Sequence, residues 1–356
     1  MSEFPSRPRK QRSRKRLIAL GLISGLVLIG GIAVIERSAL RSFIDQISGS
    51  EYSGQGVGEA RFLVSKGDTG DTVAKNLVKA GITKNLDSTL RRIYAANPTF
   101  FPGTYRLPKQ ISTEDAIKIL TNPNDMIVDR VTIREGLRIG AVYKALSEST
   151  GIPVEDFESA GKDLASFGLP KAAPSVEGYL FPATYSLDPD LSAKEVLLVL
   201  TNRMQQELES FDVPKSKWNK TLALASVVQA EARQTPDFYK VSRVFKNRIA
   251  QGMHLQSDAT VSYGVNGSTV STSAADRANN NGYNTYLHAG LPIGPISAPG
   301  HTAIDAALHP ADGTWLYFCA INLKTGETVF STTYAEHEKA VQLWRQWMLQ
   351  NPGWNG

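Results

Sequence analysis

The stretch LASVVQAEAR, Leu224 to Arg233, places one carboxylate, Glu231, at the end of a run of small and branched apolar residues. Read as a helix, it has Val227 and Val228 one turn before that carboxylate and Gln234 and Thr235 one turn after. One flank of the group is then apolar. Desolvation disfavours the charged form of an acid, so a carboxyl group placed this way keeps its proton closer to neutral pH and can act as a general acid. The competing assignment is an ordinary helical glutamate on a solvated face.

Other chemistries find less support. The five histidines, His254, His288, His301, His309 and His337, show no i,i+4 pair and no HExxH pattern, which argues against a metal site. There is no GxSxG elbow, phosphate-binding glycine loop or dinucleotide fingerprint, and no cofactor is expected. The single cysteine, Cys319, lacks an intrachain partner and reads as a buried small hydrophobe in a strand. Downstream of Glu231 the chain is dense in Gln, Asn, Ser, Thr and Tyr set in Gly/Pro loops, as in MHLQSDATVSYGV and YNTYLHAGLPIGPISAPG. Neutral hydrogen-bonding groups and aromatic platforms suit an uncharged polyhydroxylated ligand such as a glycan. A nucleic-acid site would instead be rich in Lys and Arg.

These residues need elements to position them. The 356-residue chain has a formal charge of +5, but its first sixteen residues hold seven Lys/Arg and one Glu, which leaves −1 for the remainder. The basicity therefore belongs to an arm, residues 1–16. Residues 17–35, LIALGLISGLVLIGGIAVI, are uncharged and long enough to cross a bilayer as a helix, and read as an uncleaved anchor. The positive arm puts the amino terminus in the cytoplasm and the rest of a single-pass protein outside the membrane. Residues 36–59 read as a Gly/Ser-rich linker.

Order is expected to resume at residue 60. RFLVSKGDTGDTVAKNLVKAGI reads as strand, glycine turn and helix, and a shift of 69 residues brings up a second copy: Gly67 pairs with Gly136, Val73 with Val142, Lys75 with Lys144 and Leu77 with Leu146. Between the copies a strand is expected around Tyr105, then a helix with Ser112 as N-cap. Residues 60–125 form one domain in this reading, and TNPND marks its end. Residues 126–356 form a second domain, which begins with the repeated unit at about 130–152. Helices are expected over Ala193–Glu209, through Glu231, over DFYKVSRVFKNRIAQG up to Gly252, and from Tyr334. A hairpin around NLKTGE joins two short strands. Without regular βαβ alternation the class is α+β: a transmembrane helix, a small α/β subdomain and a mixed α+β catalytic domain.

Five motifs in order, EGYLFPATY from Glu177, ASVVQAEA from Ala225, LQSDATVSYG from Leu255, YNTYLHAGLPIGPISAPG from Tyr283 and FSTTYAEH from Phe330, resemble the YceG-like endolytic murein transglycosylase family. The small strand–helix units resemble LysM modules, which bind glycan, although a purely packing role remains open. The resemblance implies that Glu231 is the catalytic acid. It protonates the bond between N-acetylmuramic acid and N-acetylglucosamine, then takes the proton of the muramyl C6 hydroxyl as that hydroxyl attacks C1, leaving a 1,6-anhydro end without consuming water. Gln256, Ser257, Asp258, Thr260, Tyr263, Asn284, Tyr286 and Glu177 are the substrate-binding candidates. Asp258 alternatively holds its loop through an Asx-turn, and Glu177 alternatively makes an internal ion pair or backbone bond.

The chain departs from the family pattern twice. Gln229 stands where the family has an acid, and Ala259 where a proline is common and stiffens the loop. The implied partners are peptidoglycan strands, cell-wall synthases and a bacterial plasma membrane, with strand length limited by the cuts. Two rivals remain: a non-catalytic peptidoglycan-binding scaffold, which Gln229 favours, and a hydrolysing muramidase.

Overall fold

The computed structural model describes residues 51–267 and 272–354. The basic arm, the apolar segment and most of the linker lie outside the described residues. Among those described, no helix is long and apolar enough to cross a membrane. The chain divides into two compact units, one through Ile127 and one from Val128.

The first unit is built from β1 (Val57–Val64), α1 (Gly70–Lys79), α2 (Leu86–Ala96), β2 (Gly103–Lys109) and α3 (Thr113–Leu120). The first strand starts inside the stretch read as linker. β1 and β2 pair antiparallel with Phe62 opposite Tyr105. Their inward residues pack with Val73, Leu77, Ile82, Ile93 and Leu120 in an apolar core. Each helix has a side-chain cap: Thr69 accepts from the Thr72 amide, Asn85 from those of Asp87 and Ser88, and Ser112 from that of Asp115. Such caps satisfy donors that a helix start leaves open.

The second unit opens with β3 (Asp129–Thr132), α4 (Ile139–Thr150) and α5 (Val154–Ala160). The repeat seen in the sequence has a physical basis here. Gly67 and Gly136 both take a positive φ, 93° and 76°, in the turn between a strand and the following helix. Next come β4 (Thr184–Leu187), which pairs with β3, α6 (Ala193–Ser210) and α7 (Trp218–Glu231). A capping box between Ser192 and Glu195 starts α6. The remaining elements are α8 (Thr235–Ala250), α9 (Asp258–Gly264), α10 (Ala274–Ala278), α11 (His301–Leu308), β5 (Tyr317–Asn322), β6 (Glu327–Ser331) and α12 (Tyr334–Gln350). β5 and β6 form the expected hairpin, closed at Gly326.

Two apolar clusters fill this unit. One joins β3, β4, α4 and α6; the other centres on α7 and takes in α8 and α11. Leu222 through Val228 of α7 are all buried, so the helix is enclosed on every side rather than amphipathic. Its one hydroxyl there, Ser226 Oγ, donates to Ala223 O at 2.9 Å and accepts from Ile296 N at 3.0 Å, which pins the loop before α11 to the buried helix. Gly178, at φ 76°, lies against that same loop, and a Cβ there would fall 2.2 Å from Pro295 Cβ.

Three expectations are corrected. α7 ends at Glu231 and Ala232 is extended, so Gln234 and Thr235 are not one turn ahead of the carboxylate. A continuous helix would put the Pro236 ring against the carbonyl of Ala232, and Pro236 instead sits in the first turn of α8. Ala259 lies in the first turn of α9, a position proline tolerates, rather than in a loop. Cys319 is half-buried, not buried.

Candidate active site

A cleft of about 630 Å³ opens in the second unit with Glu231 in its wall. The carboxyl group hangs from the last residue of α7, where outward-facing carbonyls carry partial negative charge and disfavour a second negative group. Part of Glu231 is accessible from the cleft, yet protein surrounds its carboxyl group, and burial is the largest influence on it. Burial and the neighbouring Asp258 carboxylate push its pKa above the ordinary glutamate value, while a hydrogen bond from Ser257 and the positive charge of Arg248 pull it back. Ser257 Oγ donates to Glu231 Oε1 at 2.6 Å.

The segment carrying Ser257 is held from behind. Gln256 takes a positive φ of 50°, unusual for a residue with a side chain, and its amide donates to Thr285 O at 3.1 Å. Ser257 N donates to Thr285 Oγ1 at 3.2 Å, and Thr260 Oγ1 lies 2.8 Å from the same oxygen. The YNTY and QSDAT motifs therefore brace each other through Thr285.

Asp258 makes no Asx-turn. Its Oδ1 accepts from Thr272 Oγ1 at 2.5 Å and from Tyr286 OH at 3.0 Å, with Arg277 Nη1 at 3.9 Å. Burial, then Asp258, holds the Tyr286 hydroxyl up at about 12, so it stays a donor.

Of the nine residues expected at the site, five line the cleft: Glu231, Gln256, Ser257, Asp258 and Tyr286. The other four do not. Thr260 is fully buried behind Ser257. Asn284 is equally buried and gives its amide to Arg277 O and Asn279 O, 3.0 and 2.7 Å away, fixing the loop that presents Tyr286. Tyr263 packs edge-on against Tyr283 and bonds to Glu177. Glu177, 1% exposed, accepts from the Ile139 amide at 2.9 Å, at the start of α4; burial raises it to about 7 despite that bond. It makes the backbone bond that was its alternative reading.

Gln229 has a structural task. Its Oε1 accepts from Gly300 N at 3.0 Å, the residue that caps α11.

Sequence reading missed two cations in the cleft wall, Arg138 and Arg248, among the neutral groups it expected there. Arg248 is buried and donates to Leu255 O and Leu316 O, both at 2.7 Å. A signal was present: Val241, Val244, Phe245 and Arg248 share one helical stripe, so Arg248 is a charge on the buried face of α8. Among the described residues no group of His, Cys, Asp and Glu is arranged to hold a metal ion.

The profile of the YceG-like family matches residues 62–343, most of the chain. The chain belongs to the YceG-like family. A Bacillus subtilis (strain 168) protein named endolytic murein transglycosylase is 31% identical over 267 residues, which cover 69% of this chain and 74% of that protein. A Streptococcus pneumoniae (strain D39) protein of the same name is 27% identical over 314 residues; the match spans 78% of this chain but 57% of that longer relative. A crystal structure of a Listeria monocytogenes protein described as yceG-like aligns with TM-score 0.53 and 26% identity, over 80% of this chain and 99% of that one. As a member of this family, the chain presents in its cleft one enclosed carboxyl group able to hold a proton, oriented by a hydroxyl donor.

Proposed function

We propose that this YceG-like protein is a lytic transglycosylase that cuts peptidoglycan strands internally, between N-acetylmuramic acid and N-acetylglucosamine. The observation that carries the reading is the enclosed Glu231 carboxyl group, raised in pKa and held by Ser257 in the cleft wall. The names of the Bacillus and Streptococcus relatives supply the substrate class.

Protonated Glu231 gives its proton to the glycosidic oxygen, and the C1–O bond breaks with oxocarbenium character at C1. The carboxylate so formed takes the proton of the muramyl C6 hydroxyl as that oxygen bonds to C1. The products are a 1,6-anhydromuramyl end and a free 4-hydroxyl, and Glu231 is again protonated. Because the nucleophile is part of the substrate, its effective concentration is high and a second catalytic carboxylate is not required. Residues 17–35 would anchor the enzyme in the plasma membrane with both units outside, where the LysM-like first unit meets glycan and cuts limit strand length beside the synthases.

Asp258 favours a second reading. Its charge acts on Glu231, and two carboxylates on one cleft can serve a hydrolysing muramidase. Mass spectrometry of digested peptidoglycan decides between them. Anhydro ends from the wild type, lost about 10²–10⁴-fold in Glu231→Gln, support the transglycosylase. Reducing ends one water heavier support the muramidase. Undigested strands from both proteins support a binding scaffold.

A further inference from the structure

Arg138 is the cation of the cleft wall that the mechanism above leaves unused. It stands at the N-cap position of α4, where its side chain makes no capping bond. Its Nη1 donates to Gly267 O at 2.6 Å and its Nη2 to Ser262 Oγ at 3.2 Å, both neutral acceptors, and the guanidinium lies over the Tyr263 ring. Among the described residues no carboxylate stands within ion-pair distance of it. Its charge reaches Glu177, but that carboxyl group is engaged with the Ile139 amide and Tyr263.

The same cleft wall holds a second group without an occupation. Ser297 also lines the cleft, is 5% exposed, and its buried hydroxyl has no hydrogen-bond partner among the described residues. The two residues flank one backbone pairing, in which Gly136 N donates to Ala298 O and Ala298 N to Leu137 O, each at 2.8 Å. A buried hydroxyl left unbonded is costly unless something fills it, and a guanidinium with neutral partners retains its attraction for an anion. A sugar ring alone offers no anion. In intact peptidoglycan the lactyl carboxyl is tied up in an amide, so the free carboxylates belong to the stem peptide.

We propose that Arg138 and Ser297 form a carboxylate-binding subsite that takes a stem-peptide carboxylate of the muramyl residue seated in the cleft. The subsite rests on the peptidoglycan reading and makes stem charge a determinant of which strands are cut.

The test uses sacculi left native or amidated at their free carboxyls with carbodiimide and ammonia. The full chain carrying Glu231→Gln is pelleted with each, which separates binding from cleavage. Native sacculi should bind about tenfold more tightly, the scale of one charge-assisted hydrogen bond. Adding Arg138→Gln should bring the ratio close to one, and Ser297→Ala should lower it. Arg138→Lys, which keeps the charge, should retain part of it and guards against a folding defect in the glutamine variant. Equal binding to both sacculi overturns the subsite, as does an Arg138→Gln loss that is the same on each. If the chain with Glu231 intact releases no fragments while the charge-dependent binding persists, the lytic reading fails and the subsite stands.

Discussion

Ser257 Oγ and Glu231 Oε1 lie 2.6 Å apart although 26 residues separate them in the chain. The bond joins the end of the buried helix α7 to the start of α9, and it favours the charged form of a carboxyl group that burial and Asp258 push the other way. Glu231 is thus poised between opposing influences, and two neighbours that exert them, Ser257 and Asp258, can be removed singly.

Ser257→Ala removes a donor to the carboxylate, so the Glu231 pKa rises further. The acid must be protonated for the first step, and activity falls as pH rises through that pKa. The alkaline limb of the kcat/KM profile should therefore move to higher pH. At the optimum kcat should drop about tenfold, the scale of one hydrogen bond to a charged group. An alkaline limb that stays in place would mean that the bond is not made in solution.

Asp258→Asn should act in the opposite direction. The like charge beside Glu231 disappears, ionisation becomes easier, and the alkaline limb moves to lower pH. Tyr286 keeps an oxygen to bond with, so the cleft wall is preserved. The same samples, analysed for products, report on the muramidase reading: a hydrolase that uses Asp258 to activate water loses its reducing ends in this variant.

The helices were legible because their signals are local. Ser112 announces a helix start, Gly252 an end, and the short runs on either side of NLKTGE a hairpin. Glu231 was legible because it interrupts an apolar run. The extent of its helix was misjudged because Pro236 acts on a carbonyl four residues earlier, an effect easily lost beside the helical pattern. The division of labour among the motif residues was not legible. Nothing local tells that Thr260 and Asn284 face inward while Gln256 and Tyr286 face the cleft, since all four are polar and the distinction is made by Thr285 and the backbone of Arg277 and Asn279. Arg138 was hidden for the same reason: its place in the wall depends on Gly267, 129 residues away.

Glu177→Gln tests the raised carboxyl group behind the cleft. A folded-state pKa of about 7 against an ordinary 4.5 means that the native protein holds a proton the unfolded chain has released. Stability should therefore fall as pH rises from about 4.5 to about 7, by roughly 3 kcal/mol, and level off above. Glutamine retains an acceptor for the Ile139 amide and has no proton to lose. Urea unfolding should show this descent in the wild type, and in the variant a profile lacking Glu177's contribution, with the two proteins converging near pH 4. Parallel profiles would place Glu177 in a more solvated setting than its 1% exposure indicates.

Gln229→Leu separates a structural from a catalytic account of position 229, where the resemblance implies an acid. The side chain accepts from Gly300 N at 3.0 Å and thereby ties α7 to the start of α11, whose cap has no other side-chain acceptor. Leucine is of similar size but leaves that amide without a partner, a loss of about 1–3 kcal/mol. In a unit of this size the melting temperature should fall by roughly 2–4 °C for each kcal/mol. Gln229→Glu keeps an acceptor and should melt within about 2 °C of the wild type, a change below 1 kcal/mol on the same scale. The decisive comparison is the rate per folded molecule, measured well below both transitions. If position 229 only holds the α11 loop, the glutamate variant cuts strands at the wild-type rate and the leucine variant loses stability first. A gain of tenfold or more in Gln229→Glu would instead show that an acid here assists Glu231.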